Sequence, residues 1–167
     1  MDAKQRTAFR PPRLTARGLA AWLLIACYGL GCSPTPSPST NDRAADEAAI
    51  RAVLHQQVEA WNRGAIDAFM DGYARTDSLR FASGGTVHTG WQATLDRYHR
   101  TYPDRAAMGT LTFDLHAVRV LSAQWAVVFG GYQLERAEDR PSGLFTLLFE
   151  KRPEGWRIVH DHTSAGS

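Results

Sequence analysis

The sequence predicts one α+β domain over residues 43–167, with helices segregated onto one face of a strongly bent antiparallel sheet in the order ααββαββββ. Three observations carry this. Apolar residues recur at helical spacing in the first third of the domain. From Leu111 onward the period shortens to two, with β-branched and aromatic residues throughout. Glycine and proline punctuate the joints between these stretches. About 125 residues is the usual size of one domain with one core.

The elements follow in chain order. Ile50, Val53, Leu54, Val58 and Trp61 form a single apolar stripe, with Arg51, Glu59 and Arg63 off it. Gly64 closes this helix, because glycine accepts the left-handed conformation that ends helices. Ile66, Phe69, Met70 and Tyr73 repeat the spacing in a second, shorter helix. Leu79–Ala82 and Thr86–His88 are short strands around the hairpin signal Ser83-Gly84-Gly85. Trp91, Leu95, Tyr98 and Tyr102 mark a third helix stopped by Pro103. Leu111–Leu121 alternates, with Leu111, Phe113, Leu115 and Ala117 on one face. Trp125–Leu134 is β-prone, and Gly130-Gly131 in its middle predicts a bulge or bend. Leu144–Lys151 is apolar on both faces. A turn at Arg152-Pro153-Glu154-Gly155 leads to the last strand, Trp156–Thr163.

In that order, Ala60-Trp61-Asn62-x-Gly64, Phe81 before Gly84-Gly85, Gly90-Trp91, Gly143-x-Phe145-Thr146 and the run from Gly155 to Ser164 resemble the SnoaL-like, nuclear transport factor 2-like superfamily. The chain looks most like its bacterial domain-of-unknown-function 4440 type, and the last strand is also similar to the association domain of calcium/calmodulin-dependent kinase II. The resemblance covers essentially the whole domain. It implies a cone: a bent sheet wrapped around helices, a pocket open at the wide end, and a homodimer through the sheet. It implies no single activity. Relatives include isomerases, dehydratases, cyclases and epoxide hydrolases, but also modules that only bind or assemble, so function has to come from the site.

Strict alternation along the last strand puts Trp156, Ile158, His160 and His162 on one face and Arg157, Val159, Asp161 and Thr163 on the other. Arg157 is costly to bury unpaired. The histidines are therefore expected to face the pocket beside Tyr73 or Tyr98. There they are the candidate catalytic residues, since imidazole exchanges protons near neutral pH. The competing reading is that they hydrogen-bond to backbone and hold the strand to the helices. His-x-His can also bind a metal, but a third ligand would have to come from Asp77, His88 or His116, and no spacing rule selects one. No metal or other cofactor is expected. Trp61, Tyr73, Phe81, Trp91, Tyr98 and Phe145 are the candidate pocket lining, because ligand sites are mostly apolar with a few polar groups. The expected function is binding of a small, largely apolar molecule. The alternatives are an acid–base isomerase, dehydratase or hydratase using His160 or His162 with Tyr73 or Tyr98, and a dimeric assembly module without chemistry.

The remaining residues predict an address. Lys4, Arg6, Arg10, Arg13 and Arg17 precede the uncharged GLAAWLLIA run from Gly18 to Ala26, a basic region followed by an apolar one, as in secretory signals. That run is shorter than the roughly 20 residues of a membrane span. Residues 1–32 thus read as a secretion signal and 33–42 as a Ser/Pro linker, a semi-rigid spacer. Both cysteines, Cys27 and Cys32, end the signal, so the domain has neither disulfide nor thiolate site. A cysteine after small residues resembles a bacterial lipoprotein signal. Cys32, directly before the linker, is favoured over Cys27 for lipidation. The expected location is the cell envelope, on its periplasmic or extracellular side, with the lipid anchor or signal as the sole membrane contact. The signal holds five basic residues against one acidic, leaving fourteen basic and sixteen acidic after it. That balance argues against nucleic-acid partners. Feeding cells a labelled lipid precursor tests the anchor: label should be lost in Cys32→Ser, and its persistence in a Cys27→Ser/Cys32→Ser double variant would refute it.

Overall fold

The computed structural model describes residues 40–166. The signal, its cysteines and most of the linker lie outside the described residues. Helix α1 spans Thr40–Asn62, so helix begins inside the stretch expected to be linker. Then come α2 (Ile66–Met70), strands β1 (Arg80–Ser83) and β2 (Thr86–Thr89), α3 (Trp91–Thr101), and a single turn α4 (Arg105–Met108). Strands β3 (Thr110–Val120), β4 (Trp125–Glu135), β5 (Ser142–Arg152) and β6 (Gly155–Thr163) complete the chain. The expected order holds apart from α4, whose N-terminus is capped by the Asp104 side chain accepting from the Ala107 amide at 2.8 Å.

Local chemistry explains the joints. Gly64 has a φ of 78°, and the Ala65 and Gly64 amides bond back to the carbonyls of Ala60 and Trp61. This pair of bonds closes α1 as a Schellman motif and sends the chain directly into α2. Gly84 and Gly85 both have positive φ, and Ser83 pairs with Thr86 across them, as a two-residue hairpin requires.

The six strands form one sheet in the order β2-β1-β6-β5-β4-β3. Neighbours are antiparallel except β1 and β6, which run parallel, a pairing the expected all-antiparallel sheet lacked. The helices pack on the inner face. Ile50, Leu54, Trp61, Phe69 and Met70 meet Val128, Phe149, Trp156 and Ile158 in one buried core.

Two bulges bend the long strands and reset their alternation. In β3, Leu115 pairs with Gly130 and Ala117 with Phe129, leaving His116 as the extra residue. Leu111, Phe113 and Leu115 therefore face the core, but Val118 and Val120 take over beyond the bulge. In β6, Ile158 pairs with Phe149 and His160 with Leu148, leaving Val159 as the extra residue. Before it, Trp156 and Ile158 point inward. After it, Asp161 does.

The base of β6 is fixed to α1 by a buried carboxylate. Asp46 accepts from the Trp156 indole N–H at 3.0 Å and from the Lys151 ammonium at 2.6 Å. On the outer face of the sheet, Trp125, Phe129 and Leu144 are exposed, with Val127, Leu148 and Val159 half-buried near them.

Candidate functional site

The inner face of the sheet and the helices enclose a cavity of about 90 Å³. Its closed end is made of Gln57 and Trp61 from α1, Phe69 from α2, Tyr73 just after it, Tyr98 from α3 and Asp161 from β6. All six are buried. Toward the mouth stand half-buried residues: Ser83, Arg97, Tyr102, Phe113, Tyr132 and Thr163. Nine aromatic side chains line the cavity, which makes it mainly apolar.

Each polar group at the closed end has a partner. Gln57, on the buried stripe of α1, donates its amide N–H to the Phe69 carbonyl at 3.0 Å and so ties α1 to α2. The Tyr73 hydroxyl donates to Asp161 Oδ2 at 2.7 Å. Thr163 Oγ1 donates to Asp161 Oδ1, also at 2.7 Å. The Tyr73 and Tyr98 hydroxyls lie 3.4 Å apart. A phenol has one proton to give. With that of Tyr73 committed to an ionised Asp161, Tyr98 donates to Tyr73 and offers the cavity only lone pairs. With Asp161 neutral, the chain of hydroxyls can reverse, and Tyr98 offers the cavity a proton.

Burial pushes the Asp161 carboxyl above the usual carboxylate range, against the hydrogen bonds from Thr163 and Tyr73 and the nearby charges of His160 and Arg97. Burial also raises Tyr73 well above its ordinary value, with the Asp161 charge adding to it. Tyr98 is raised for the same two reasons, in the same order. The phenols therefore keep their protons, and Asp161 is the group at the closed end that can change charge in an ordinary pH range.

The expected orientation of β6 is overturned at its outer half. His160 and His162 are exposed and do not line the cavity. The extra residue at Val159 inverts the alternation that placed them inside, and Asp161 occupies the position beside Tyr73 expected of a histidine. Arg157, before the bulge, stays off the inner face as expected. Of the six aromatic candidates, Trp61, Tyr73, Phe81, Tyr98 and Phe145 line the cavity. Trp91 does not: its indole donates to the Met70 carbonyl at 3.0 Å, and the Arg75 guanidinium stands 4.4 Å over its ring. Among the described residues no three His, Cys, Asp or Glu side chains are grouped to hold a metal, and Asp77, His88 and His116 do not converge with the β6 histidines.

Sequence reasoning missed Asp161, Gln57 and Arg97. Gln57 could have been found, since it lies three residues after Leu54 and four before Trp61 on the buried stripe. Asp161 could not, because nothing in the letters around Val159 announces the bulge.

A curled sheet of this order, unclosed and wrapped over N-terminal helices, is the nuclear transport factor 2-like cone. Within that class the chain belongs to the SnoaL-like domain family, whose model matches residues 50–166. It is 42% identical to an NTF-2-like protein of unknown function from Shewanella oneidensis MR-1, covering 70% of this chain and 97% of that one, with a TM-score of 0.68. A ketosteroid isomerase-like protein from Erwinia carotovora atroseptica SCRI1043 has 22% identity, covers 73% and 97%, and gives a TM-score of 0.60. A putative calcium/calmodulin-dependent protein kinase type II association domain from Thiobacillus denitrificans ATCC 25259 has 19% identity, covers 70% and 94%, and gives 0.61. The last two likenesses show the fold alone. No curated protein matches the chain.

The raised carboxyl has a consequence for stability. A group with a folded pKa above its unfolded value stabilises the fold below the unfolded pKa, about 4 for Asp, and that contribution is lost as pH rises through the folded value. Denaturation midpoints of the wild type should therefore fall, relative to those of Asp161→Asn, as pH rises from the ordinary carboxylate range. Parallel pH profiles for the two proteins would show that Asp161 is ionised without cost.

Proposed function

We propose that this domain binds a small, largely apolar molecule in the cavity between its helices and sheet. One observation carries the reading: an aromatic-lined cavity that stays open, with a single hydrogen-bonded carboxyl at its closed end. Apolar walls supply affinity, and a few convergent polar groups fix orientation. An apolar cavity of about 150 Å³ holds a benzene. A space of about 90 Å³ is smaller than that but opens at one end, so a one-ring molecule fits with part of it extending through the mouth. Bulky side chains filling the cone would have favoured pure assembly instead.

Acid–base catalysis is the second reading, and the raised carboxyl of Asp161 beside two protonated phenols favours it. In that version Asp161 exchanges the proton and Tyr98 is the hydrogen-bond partner facing the substrate. The exposed His160 and His162 have no part in it.

Three finer readings belong with this one. The chain falls in the bacterial domain-of-unknown-function 4440 branch of the superfamily. It acts in the cell envelope, exported and lipid-anchored. It is a homodimer through the outer face of the sheet, where exposed Trp125, Phe129 and Leu144 support pairing with a second copy. Light scattering at micromolar concentration should give twice the monomer mass, and a clean monomer would remove the dimer from the account.

Binding is tested by thermal-shift screening of one-ring and medium-chain compounds, bearing acid, amide, alcohol and ketone groups, against the wild type and Leu147→Trp. The substitution fills the cavity from its wall. Hits should raise the melting temperature of the wild type and lose that effect in the filled variant. Hits that act equally on both proteins would mean that they bind elsewhere.

A further inference from the structure

We infer that the ligand of this cavity is a small carboxylic acid bound as its anion, with its apolar body among the aromatic rings and its carboxylate on Arg97. The inference rests on the binding reading above and names the ligand class for that same site.

Arg97 projects from α3 onto the cavity wall and is half-buried. Its guanidinium stands 4.7 Å over the Phe81 ring and 5.8 Å from the centre of Tyr98. Aromatic faces attract the cation but leave hydrogen-bonding demand at the guanidinium edge. Some arginines of the domain meet that demand with carboxylates, such as Arg51 with Glu47, Arg75 with Asp71, Arg136 with Asp139 and Arg140 with Glu135, and others with backbone carbonyls, such as Arg105 with Trp61. Arg97 has neither an ion pair nor a hydrogen bond among the described residues. A half-buried guanidinium meets fewer water acceptors than an exposed one and leaves donors free for a ligand. Here it is kept at the edge of a ligand-sized space.

The charge of Arg97 also reaches across that space. It acts on Tyr98 beside it, on Tyr102, on Tyr132 of β4 and on Asp161 of β6. These groups surround the cavity from three elements and a loop. The same charge also acts on His88 outside the cavity, so Arg97 lies at the rim, where an anion inside the cavity can reach it.

The count of charges selects the class. Among the described residues, Arg97 is the only cationic side chain on the lining. The one acid, Asp161, is at the closed end with an oxygen each committed to Tyr73 and Thr163. One cation fits a monoanion and leaves a phosphate dianion under-compensated beside that acid. The planar guanidinium fork matches a carboxylate through two parallel hydrogen bonds. The aromatic walls then require the rest of the molecule to be apolar.

The experiment uses matched pairs titrated into the full chain by calorimetry: benzoate and benzamide, phenylacetate and phenylacetamide, hexanoate and hexanamide, octanoate and octanamide. At least one acid should bind about tenfold or more tighter than its amide, the margin expected of a charge-assisted pair. Arg97→Gln should erase that margin while leaving the amide's affinity in place, and Arg97→Lys should restore part of it. Circular-dichroism melts establish that both variants are folded. Amides that bind as well as their acids would overturn the carboxylate proposal and leave the binding reading standing. So would an acid preference that survives in folded Arg97→Gln. Binding of neither series would overturn both.

Discussion

The site depends on one extra residue. Val159 has no partner of its own on β5, and from that point β6 runs in the opposite phase. Without the bulge, the face carrying Trp156 and Ile158 would continue through His160 and His162, two imidazoles against an aromatic wall. With it, the buried face ends in Asp161. The anchoring of β6 at both ends makes the phase change stable. Trp156 is held at the base by Asp46, and the outer half pairs with β1 from Arg80–His160 to Ser83–Thr163. A strand pinned at two places cannot slide by one residue without breaking one of the two attachments.

Burying a carboxyl among rings is unfavourable unless its oxygens are occupied. Tyr73 and Thr163 occupy them, one each. Both donors are placed by the same features that place Asp161: Thr163 shares its face two residues along β6, and Tyr73 bridges to Ile158 just before the bulge. The acid and its donors thus form one unit, and Tyr98 extends it into the cavity. Asp161 at the closed end and Arg97 nearer the mouth give the cavity a polar axis. The aromatic walls between them set the size and apolar character of what can lie along it.

Most of the fold was legible because it rests on periodicity and on residues with special backbones. The stripe ending at Trp61, the stop at Gly64, the Gly84-Gly85 hairpin and the run of long strands all announce themselves. Five of the six aromatic candidates reached the cavity for the same reason: large rings on buried stripes go to the core, and the cavity is an unfilled part of it. The polar part of the site was not legible. A bulge is a property of how two strands pair, and Val159 reads like any strand residue. His116 in β3 makes the same point, since the alternation through Ala117 looked unbroken and yet shifts there. The parallel pairing of β1 with β6 was hidden likewise, because strand neighbours far apart in sequence leave no local trace. Arg97 was passed over because a charged residue on a helix ordinarily faces water.

The phase of β6 is the claim on which the cavity chemistry stands, and proton–proton distances in solution read it directly. In nuclear Overhauser spectra of the assigned domain, the ring protons of Tyr73 should show cross-peaks to the β-protons of Asp161. The ring protons of His160 and His162 should show none to Tyr73 or Tyr98. Cross-peaks joining either histidine ring to either tyrosine, with none from Tyr73 to Asp161, would mean that the strand runs without its bulge and that the site is built on different residues.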